Sequence, residues 1–202
     1  MVAVPCDGRW LGARARESGS TLLEVLISIV ISSVALLALA GSSASALRYT
    51  KMSQYRATAT LLAGDLAERM RANKGQAARE ETAASGFFAG AYDFNATSFA
   101  RQATNANFPA ELCNTAASSC TPAQIAELDM AQWRLLVRTQ LPEGSVFVSR
   151  QEDAIAADVW MAWRDPAVAS SDEAPMLAAE CPSGLGTRSD KSVRCSYFRI
   201  NL

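Results

Sequence analysis

The chain has 202 residues, with 19 basic and 20 acidic side chains and a formal net charge of −1. This length fits one domain together with a membrane segment, and the even charge balance does not favour nucleic-acid binding. The sequence contains no histidine, which removes the commonest general base, the Ser-His-Asp triad and most zinc sites. The chain is therefore not expected to be an enzyme.

An uncharged apolar segment covers residues 25–47. A helix of this length spans roughly 35 Å at about 1.5 Å per residue, more than the ~30 Å hydrocarbon core of a bilayer. The residues before it include Arg9, Arg14 and Arg16, but they lack the apolar core and the small-residue cleavage site of a conventional secretory signal. The segment is therefore predicted to direct export itself and to stay in the membrane.

A single carboxylate, Glu24, lies at the start of this apolar region, shortly after Gly19 and Ser20. A charge at membrane depth costs on the order of 2–3 kcal/mol or more by insertion scales, so Glu24 is a candidate functional residue. The stretch resembles the class III signal of type IV prepilins, whose leader ends in Gly and whose fifth mature residue is Glu. The resemblance implies cleavage by prepilin peptidase between Gly19 and Ser20, N-methylation of Ser20, and a role for Glu24 in assembly and register. Ser20 departs from the Phe or Met that major pilins usually have there, and an ordinary signal anchor is the alternative interpretation.

The helical pattern continues beyond the apolar segment, with one stripe of apolar residues three or four positions apart: Tyr55, Ala59, Leu62, Leu66 and Met70. The opposite face is charged and includes Asp65 and Arg69 at i,i+4 spacing. Gly75 is predicted to end the helix as its C′ residue. The stripe is expected to pack on the C-terminal part of the chain. Coiled-coil dimerisation is the alternative, and it is disfavoured because the periodic part covers barely two heptads.

Residues 75–120 are rich in Ala, Ser, Thr and Asn, and their aromatic residues follow no clear period. This composition predicts a loop-rich region that is anchored by aromatic side chains. Aromatic residues between cations can also bind single-stranded nucleic acid, but Arg101 is the only cation within residues 81–120.

A helix followed by strands is predicted for the rest of the chain, which indicates an α+β fold. The helix begins at Thr121, because Thr121, Pro122 and Gln124 fit a capping box with Pro at the first helical position. Its expected buried face has Trp133 beside it and consists of four residues: Ile125, Leu128, Leu135 and Leu136. Turn residues at 141–144 end the helix. Three strands are then predicted, at residues 145–149, 157–163 and 193–202.

Apart from Cys6, the cysteines lie beyond the membrane segment: Cys113, Cys120, Cys181 and Cys195. Their position indicates an oxidising compartment and two disulfides, for which three connectivities exist. The local pairing, Cys113 with Cys120 and Cys181 with Cys195, closes short loops and is favoured. Free buried thiols are an alternative, whereas a four-thiolate metal site is disfavoured because neither pair has C-x2-C spacing.

Further segments resemble type IV pilus modification proteins of the PilV kind: residues 65–73, 129–133, 141–144 and 181–195. The resemblance implies a type IV pilin-like α+β fold, in which a long N-terminal membrane-spanning helix packs against a C-terminal antiparallel sheet. It also implies a minor pilin that acts in the initiation of pilus assembly or at the pilus tip, in support of twitching motility or adhesion. The implied partners are prepilin peptidase, other minor and major pilins, the inner-membrane assembly platform and membrane lipid. No cofactor, metal or nucleic-acid partner is expected.

The expected organisation is a leader at residues 1–19, a transmembrane half-helix at 20–47 and a periplasmic head at 48–202. The head begins with the amphipathic half of the helix at residues 48–74. A variable loop region follows at 75–120, and the second helix and the strands occupy 121–202. Basic residues flank the apolar segment on both sides, so charge alone does not set the topology. A single pass through the inner membrane with a cytoplasmic N-terminus follows from the cysteines and the resemblance, and the protein is expected to be incorporated in the extracellular pilus.

Two other functions stay open. A minor pseudopilin of a type II secretion system would share every N-terminal feature. A membrane-anchored periplasmic enzyme would have to use carboxylates for cation binding or for acid–base chemistry. The candidates in the C-terminal part are expected to be solvated loop charges: Glu152, Asp153, Asp158 and Asp165.

Overall fold

The computed structural model describes residues 21–79, 82–103, 108–110, 112, 113, 115, 118–165, 181–187, 190 and 192–202. The chain divides into two compact units, Met1–Ser45 and Ala46–Leu202. The α-helices and strands within the described residues are α1 (Leu22–Ala72), α2 (Pro122–Gln140), β1 (Ser145–Gln151), β2 (Ala156–Arg164) and β3 (Val193–Asn201). Residues of α1 belong to both units.

The part of α1 in the first unit is apolar on every side. All described residues from 21 to 45 are exposed, including large side chains such as Leu22 (86%) and Leu37 (74%). The serine hydroxyls do not interrupt the helix, because they bond to its own carbonyls; Ser28 Oγ, for example, donates to the Glu24 carbonyl at 2.7 Å. By length and composition, α1 is able to cross a membrane.

The part of α1 in the second unit has one buried face. It consists of the predicted stripe, with Tyr55 partly buried and the others fully buried: Ala59, Leu62, Leu66 and Met70. Arg69 Nε lies 2.9 Å from Asp65 Oδ2, as the i,i+4 spacing predicts, but the two residues are partly buried beside the stripe and do not lie on the opposite, exposed face. α1 ends at Ala72, and Gly75 adopts a φ of +71°, so Gly75 lies at C″ and not at the predicted C′. A Cβ on Gly75 would collide with the backbone of Ser85, which explains the glycine.

The loop region between the helices is held by aromatic side chains, as predicted. Phe87, Tyr92 and Phe99 are buried, whereas Phe108 is about half exposed. Short 3-10 turns at Gly86–Ala89 and Ala100–Ala103 provide its local structure.

The predicted capping box begins α2. The Gln124 N–H donates to Thr121 Oγ1 at 3.3 Å, and the Thr121 N–H donates to Gln124 Oε1 at 2.8 Å. Pro122 occupies the first helical position, where its missing N–H leaves no intrahelical bond unmade. The first turn of α2 is therefore specified by local sequence alone.

The predicted buried face of α2 was wrong. Leu135 and Leu136 are 39% and 37% exposed, Ile125 is only partly buried, and Leu128 is the only one of the four that is fully buried. The face in the main core is a neighbouring row: Ala126, Met130, Trp133 and Val137. The physical reason is Trp133, which has no exposed surface and whose Nε1–H donates to the Leu62 carbonyl at 2.8 Å. Its large apolar area can be buried because its only polar group has a partner.

The strands form one antiparallel sheet in the order β1-β2-β3. The predicted strands are confirmed to within two residues at each end. One face of the sheet packs against α1 and α2 through alternate residues of each strand, including Val148, Val159, Met161 and Ile200. The result is an α+β, type IV pilin-like arrangement, with a long N-terminal helix packed against a C-terminal antiparallel sheet.

The opposite face of the sheet has a second, smaller core at one end: Phe99, Ala162, Leu185, Val193 and Cys195. Cys195 is disulfide-bonded to Cys181, and Cys113 is disulfide-bonded to Cys120. These are the two local pairings that the sequence favours. One bond confines the loop before α2, and the other ties β3 to the segment that precedes it.

Candidate functional site

The prepilin-like stretch leads into the first turn of α1. Gly19 and Ser20 lie outside the described residues, so cleavage between them and methylation of Ser20 stay predictions. From Thr21 onward the structure is described. Thr21 Oγ1 accepts a hydrogen bond from the Glu24 N–H at 3.3 Å, and the Thr21 carbonyl accepts one from the Val25 N–H at 3.2 Å. Thr21 is therefore the N-cap of α1.

Glu24 lies in the first turn of α1 and is exposed, with apolar residues before and after it in the helix. The positive end of the helix dipole favours a carboxylate in this turn. The next acidic residue along the sequence is Asp65. In a bilayer, a carboxylate at this depth needs a cation or several hydrogen-bond donors to offset its loss of hydration. The chemistry of Glu24 therefore suits pairing with a positive charge.

Basic residues follow the apolar part of α1. Arg48, Lys51 and Arg56 are exposed, and Tyr49 between them is exposed as well. Basic and tyrosine side chains are typical of the boundary between membrane and water. The uncharged part of α1 is thus bounded by Glu24 at one end and by this basic group at the other.

A polar network in the second unit connects α1, α2 and the loop between them. Arg69 Nη1 lies 3.0 Å from Asp129 Oδ1 and donates to Gln132 Oε1 at 3.1 Å. Tyr92 Oη donates to Asp129 Oδ2 at 2.8 Å and also lies 3.2 Å from the Arg69 carbonyl. Burial, together with the hydrogen bond to Asp129, raises the pKa of Tyr92 well above its usual range. The sequence analysis did not identify this network, because its members are far apart along the chain.

The C-terminal carboxylates were expected to be solvated loop charges, and this prediction was wrong for two of them, because Asp158 lies in β2 and Asp165 follows it, and both are buried. Asp158 accepts hydrogen bonds from Tyr197 Oη at 2.7 Å and from Gln151 Nε2. The Asp165 N–H donates to the Ser192 carbonyl at 2.8 Å, whereas Glu152 and Asp153 are exposed in the turn between β1 and β2. Among the residues that the structure describes, no group of three or more His, Cys, Asp or Glu side chains could hold a metal ion.

Residues 14–40 match the model of the prokaryotic N-terminal methylation motif. The matched range includes Gly19, Ser20 and Glu24 together with the first part of α1. No curated protein and no solved structure shows significant similarity to the chain.

The matched motif is a type IV pilin-like prepilin signal. It indicates a structural protein that assembles with pilus components, anchored in a membrane by α1 with its C-terminal part outside the cytoplasm. The chain therefore has the prepilin signal of a type IV pilin or pseudopilin, the substrates of prepilin peptidase.

Proposed function

We propose that the protein is a minor pilin of the PilV-like type IV pilus modification family, and that it acts in the initiation of pilus assembly or at the pilus tip. The observation that carries the proposal is that one helix has both the prepilin signal and the buried stripe of the head. A helix with these two properties suits a subunit whose apolar half enters a filament core and whose other half holds a folded head. Twitching motility or adhesion would be the cellular result.

Processing is the first step of the proposed pathway. Prepilin peptidase cuts between Gly19 and Ser20 and methylates the new amino group of Ser20. Mass spectrometry of the protein extracted from membranes should then show Ser20 as the first residue, with the added mass of a methyl group. An intact leader in cells that have an active peptidase would contradict this step.

Glu24 would set the axial register between neighbouring subunits. Its carboxylate would pair with the N-terminal ammonium group of an adjacent pilin, which is the cation that processing creates within the membrane. We expect Glu24→Ala and Glu24→Lys to leave membrane insertion unchanged and to impair incorporation into pili. Glu68→Ala is the matched control, because Glu68 is an exposed glutamate of the same helix within the second unit. Normal pilus number and normal tip composition in the Glu24 variants would contradict the mechanism.

The proposed location is the inner membrane, with a single pass, a cytoplasmic N-terminus and a periplasmic head. Disulfides in the head support this orientation, because they persist in oxidising compartments. There the protein would meet the assembly platform, other minor pilins and the major pilin. A reporter enzyme that is active only in the periplasm, fused after Leu202, should be active. An inactive fusion that is present at normal level would contradict the orientation.

Deletion of the protein distinguishes a function in the pilus from a function in the type II secretion pseudopilus. A minor pilin is expected in sheared surface filaments, and its deletion should reduce the number of pili. A minor pseudopilin is instead expected to be needed for the secretion of exoproteins. Loss of secretion with normal pili would assign the protein to the secretion system.

A further inference from the structure

The two edges of the sheet differ in how their backbone groups are satisfied. On the β1 edge, the side-chain amide of Gln102 takes the place of a neighbouring strand. Its Oε1 accepts from the Val146 N–H at 2.9 Å, and its Nε2 donates to the Val146 carbonyl at 2.8 Å. Gln102 is itself buried, so this edge position is closed to other chains.

The next two positions of the β1 edge are closed as well. Phe94 and Val148 exchange both backbone hydrogen bonds, at 2.8 and 3.0 Å. The Arg150 N–H donates to Asp93 Oδ1 at 2.6 Å. Each outward N–H group of β1 therefore already has a hydrogen-bond acceptor within the chain. Such contacts prevent a strand of another molecule from pairing with the edge of a sheet.

The hydrogen-bond pattern beside β2 identifies which groups of β3 point outward. The Leu202 N–H donates to the Ile155 carbonyl at 2.9 Å, and the Asp165 N–H donates to the Ser192 carbonyl at 2.8 Å, just beyond the two ends of the β2–β3 pairing. Bonded and non-bonded pairs alternate in an antiparallel ladder, so four residues of β3 bond to β2: Arg194, Ser196, Phe198 and Ile200. The backbone groups of the others point away from β2: Val193, Cys195, Tyr197, Arg199 and Asn201.

Among the described residues, hydrogen-bond partners for the outward groups are found at the two ends of β3. The Val193 N–H lies 3.3 Å from the Asp190 carbonyl, and Arg71 Nη2 donates to the Asn201 carbonyl at 3.2 Å. Between them, the backbone groups of Cys195, Tyr197 and Arg199 have no backbone partner among the described residues. The central part of this edge is therefore a template for an additional strand.

The charge of β3 argues against a second copy of the same chain as that strand. β3 includes Arg194 and Arg199 and has no acidic residue, so β3 of a second copy would offer it no opposite charge, whereas opposite charges facing each other across strands are favourable. The arginines of β3 would instead attract a strand that has carboxylates. The rows of side chains across the sheet indicate at which positions of the added strand those carboxylates would lie.

Two rows cross the sheet on the face that is away from α1 and α2. The first is aromatic: Phe147 packs on Trp160 with ring centroids 5.5 Å apart, and Trp160 packs on Tyr197 at 4.9 Å. Tyr197 is 49% exposed, so a further ring can extend this row. In the second row Arg199 lies opposite Asp158 across the strands, and Arg199 is exposed.

We propose that the β3 edge binds an extended segment of another pilin subunit, which adds a fourth strand beside Cys195, Tyr197 and Arg199. The segment has an aromatic residue beside Tyr197 and an acidic residue two positions away, beside Arg199. This inference rests on the proposed function, because it requires that the chain assembles with other pilins. It adds a contact between heads to the contacts that the membrane helices make.

Amide hydrogen exchange on the purified full-length protein in detergent tests whether the edge is open. Exchange should alternate along β3, with the amides of Tyr197 and Arg199 at least about 100-fold faster than those of Ser196 and Phe198, because only the latter bond to β2. Uniform slow exchange along β3 would show that the edge is already closed within the chain and would overturn the proposal.

Variants of Arg199 test the pairing in cells. Arg199→Pro removes an outward N–H that makes no bond to β2, and Arg199→Glu keeps that N–H but reverses the charge. Each should lower the amount of the protein in sheared pili by about tenfold relative to its amount in the membrane. Arg199→Glu keeps the test valid if Arg199→Pro fails to fold. Arg79→Glu is the control for charge reversal, because Arg79 is exposed in a loop, and it should have no effect.

The outcomes separate the inference from the proposed function. Wild-type protein in pili, together with normal incorporation of Arg199→Pro and Arg199→Glu, would overturn the strand pairing and leave the minor pilin in place. Wild-type protein that is absent from pili under conditions of normal piliation would contradict both. Loss of incorporation for the Arg199 variants, with normal membrane level and with Ser20 processing equal to wild type, supports the pairing.

Discussion

The two parts of α1 differ in what surrounds them, although they belong to the same helix. In the first unit all described side chains are exposed, and Leu37 shows 74% of its surface. In the second unit Leu66 and Met70 have no exposed surface. The sequence distinguishes the two by pattern, since one part is apolar on every side and the other has a single apolar stripe. The apolar residues therefore contact lipid in one part and form the protein core in the other. Substitutions in the head should change its stability without changing membrane insertion.

Trp133→Ala is expected to have the largest effect on the stability of the head. Trp133 is fully buried against the second part of α1, and its Nε1–H bonds to the Leu62 carbonyl at 2.8 Å. Removing the indole should destabilise the head by about 3–5 kcal/mol, whereas membrane insertion should be unchanged. Urea unfolding followed by near-ultraviolet circular dichroism, and membrane fractionation, measure the two effects.

Leu136→Ala is the matched control, because Leu136 lies on the same helix but is 37% exposed. It should cost less than about 1 kcal/mol. Equal losses for the two variants would mean that the buried face of α2 is not the one described.

Removal of the Cys181–Cys195 disulfide is expected to have the next largest effect. The bond joins residues 14 positions apart and ties β3 to the preceding segment. Cys181→Ser combined with Cys195→Ser should therefore destabilise the head by about 3 kcal/mol. Urea unfolding of this double variant and of wild type, without reductant, measures the loss.

Removal of the Cys113–Cys120 disulfide provides the comparison for the Cys181–Cys195 variant. Cys113 and Cys120 are 7 positions apart, outside the sheet, so their replacement by Ser should cost less than the loss of the Cys181–Cys195 bond. Neither double variant should change membrane insertion. A larger loss at Cys113 and Cys120 would mean that the loop before α2 contributes more to the core than β3 does.

The sequence predicts the elements whose residues are close together along the chain. The stripe on α1, the capping box at Thr121 and the local disulfides follow from spacings of a few residues. The buried face of α2 does not, because Leu135 and Leu136 are as apolar as Met130 and Val137. Which row is buried depends on contacts with α1 and the sheet, and these are set by residues far away in sequence.

The motif around Glu24 can be read from the sequence because it is local, whereas the roles of Gly19, Ser20 and Glu24 stay predictions. The closure of the β1 edge by Gln102 was not predicted, because it joins side chain and strand across 44 positions. No periodicity or spacing marks a glutamine that will act as a strand neighbour.

Alkaline pH should weaken the head through Tyr92. Burial raises the pKa of Tyr92 above its ordinary value of about 10, so the folded state keeps the phenolic proton to higher pH than the unfolded state does. Tyr92 therefore leaves the stability of the head unchanged below about pH 10 and lowers it above that pH, by up to about 1.4 kcal/mol per pH unit. Urea unfolding at several pH values should show this fall in wild type and a smaller fall in Tyr92→Phe.

Tyr197→Phe tests whether Tyr92 is the main cause of the loss of stability at alkaline pH. The hydrogen bond to Asp158 raises the pKa of Tyr197, but its side chain is half exposed, so this variant should change the alkaline fall less than Tyr92→Phe does. A larger change for Tyr197→Phe would contradict the assignment to Tyr92.

The smallest expected effect is that of Thr121→Ala, which removes the N-cap of α2. The N-cap hydrogen bond to the Gln124 N–H is lost, which should cost about 1 kcal/mol. Thr121→Ser keeps the hydroxyl and should restore most of the stability. If Thr121→Ser were as unstable as Thr121→Ala, the loss would come from packing and not from the cap.

The contacts that bury the stripe of α1 determine when in synthesis the head can fold. Leu62 is bonded by Trp133, 71 positions later, and Arg71 reaches the Asn201 carbonyl across 130 positions. The second part of α1 is synthesised before the sheet that covers it, so its stripe stays uncovered until β3 is available. Ile200 on β3 belongs to the same core. A chain interrupted before Ile200 would therefore keep the stripe of α1 accessible to proteases.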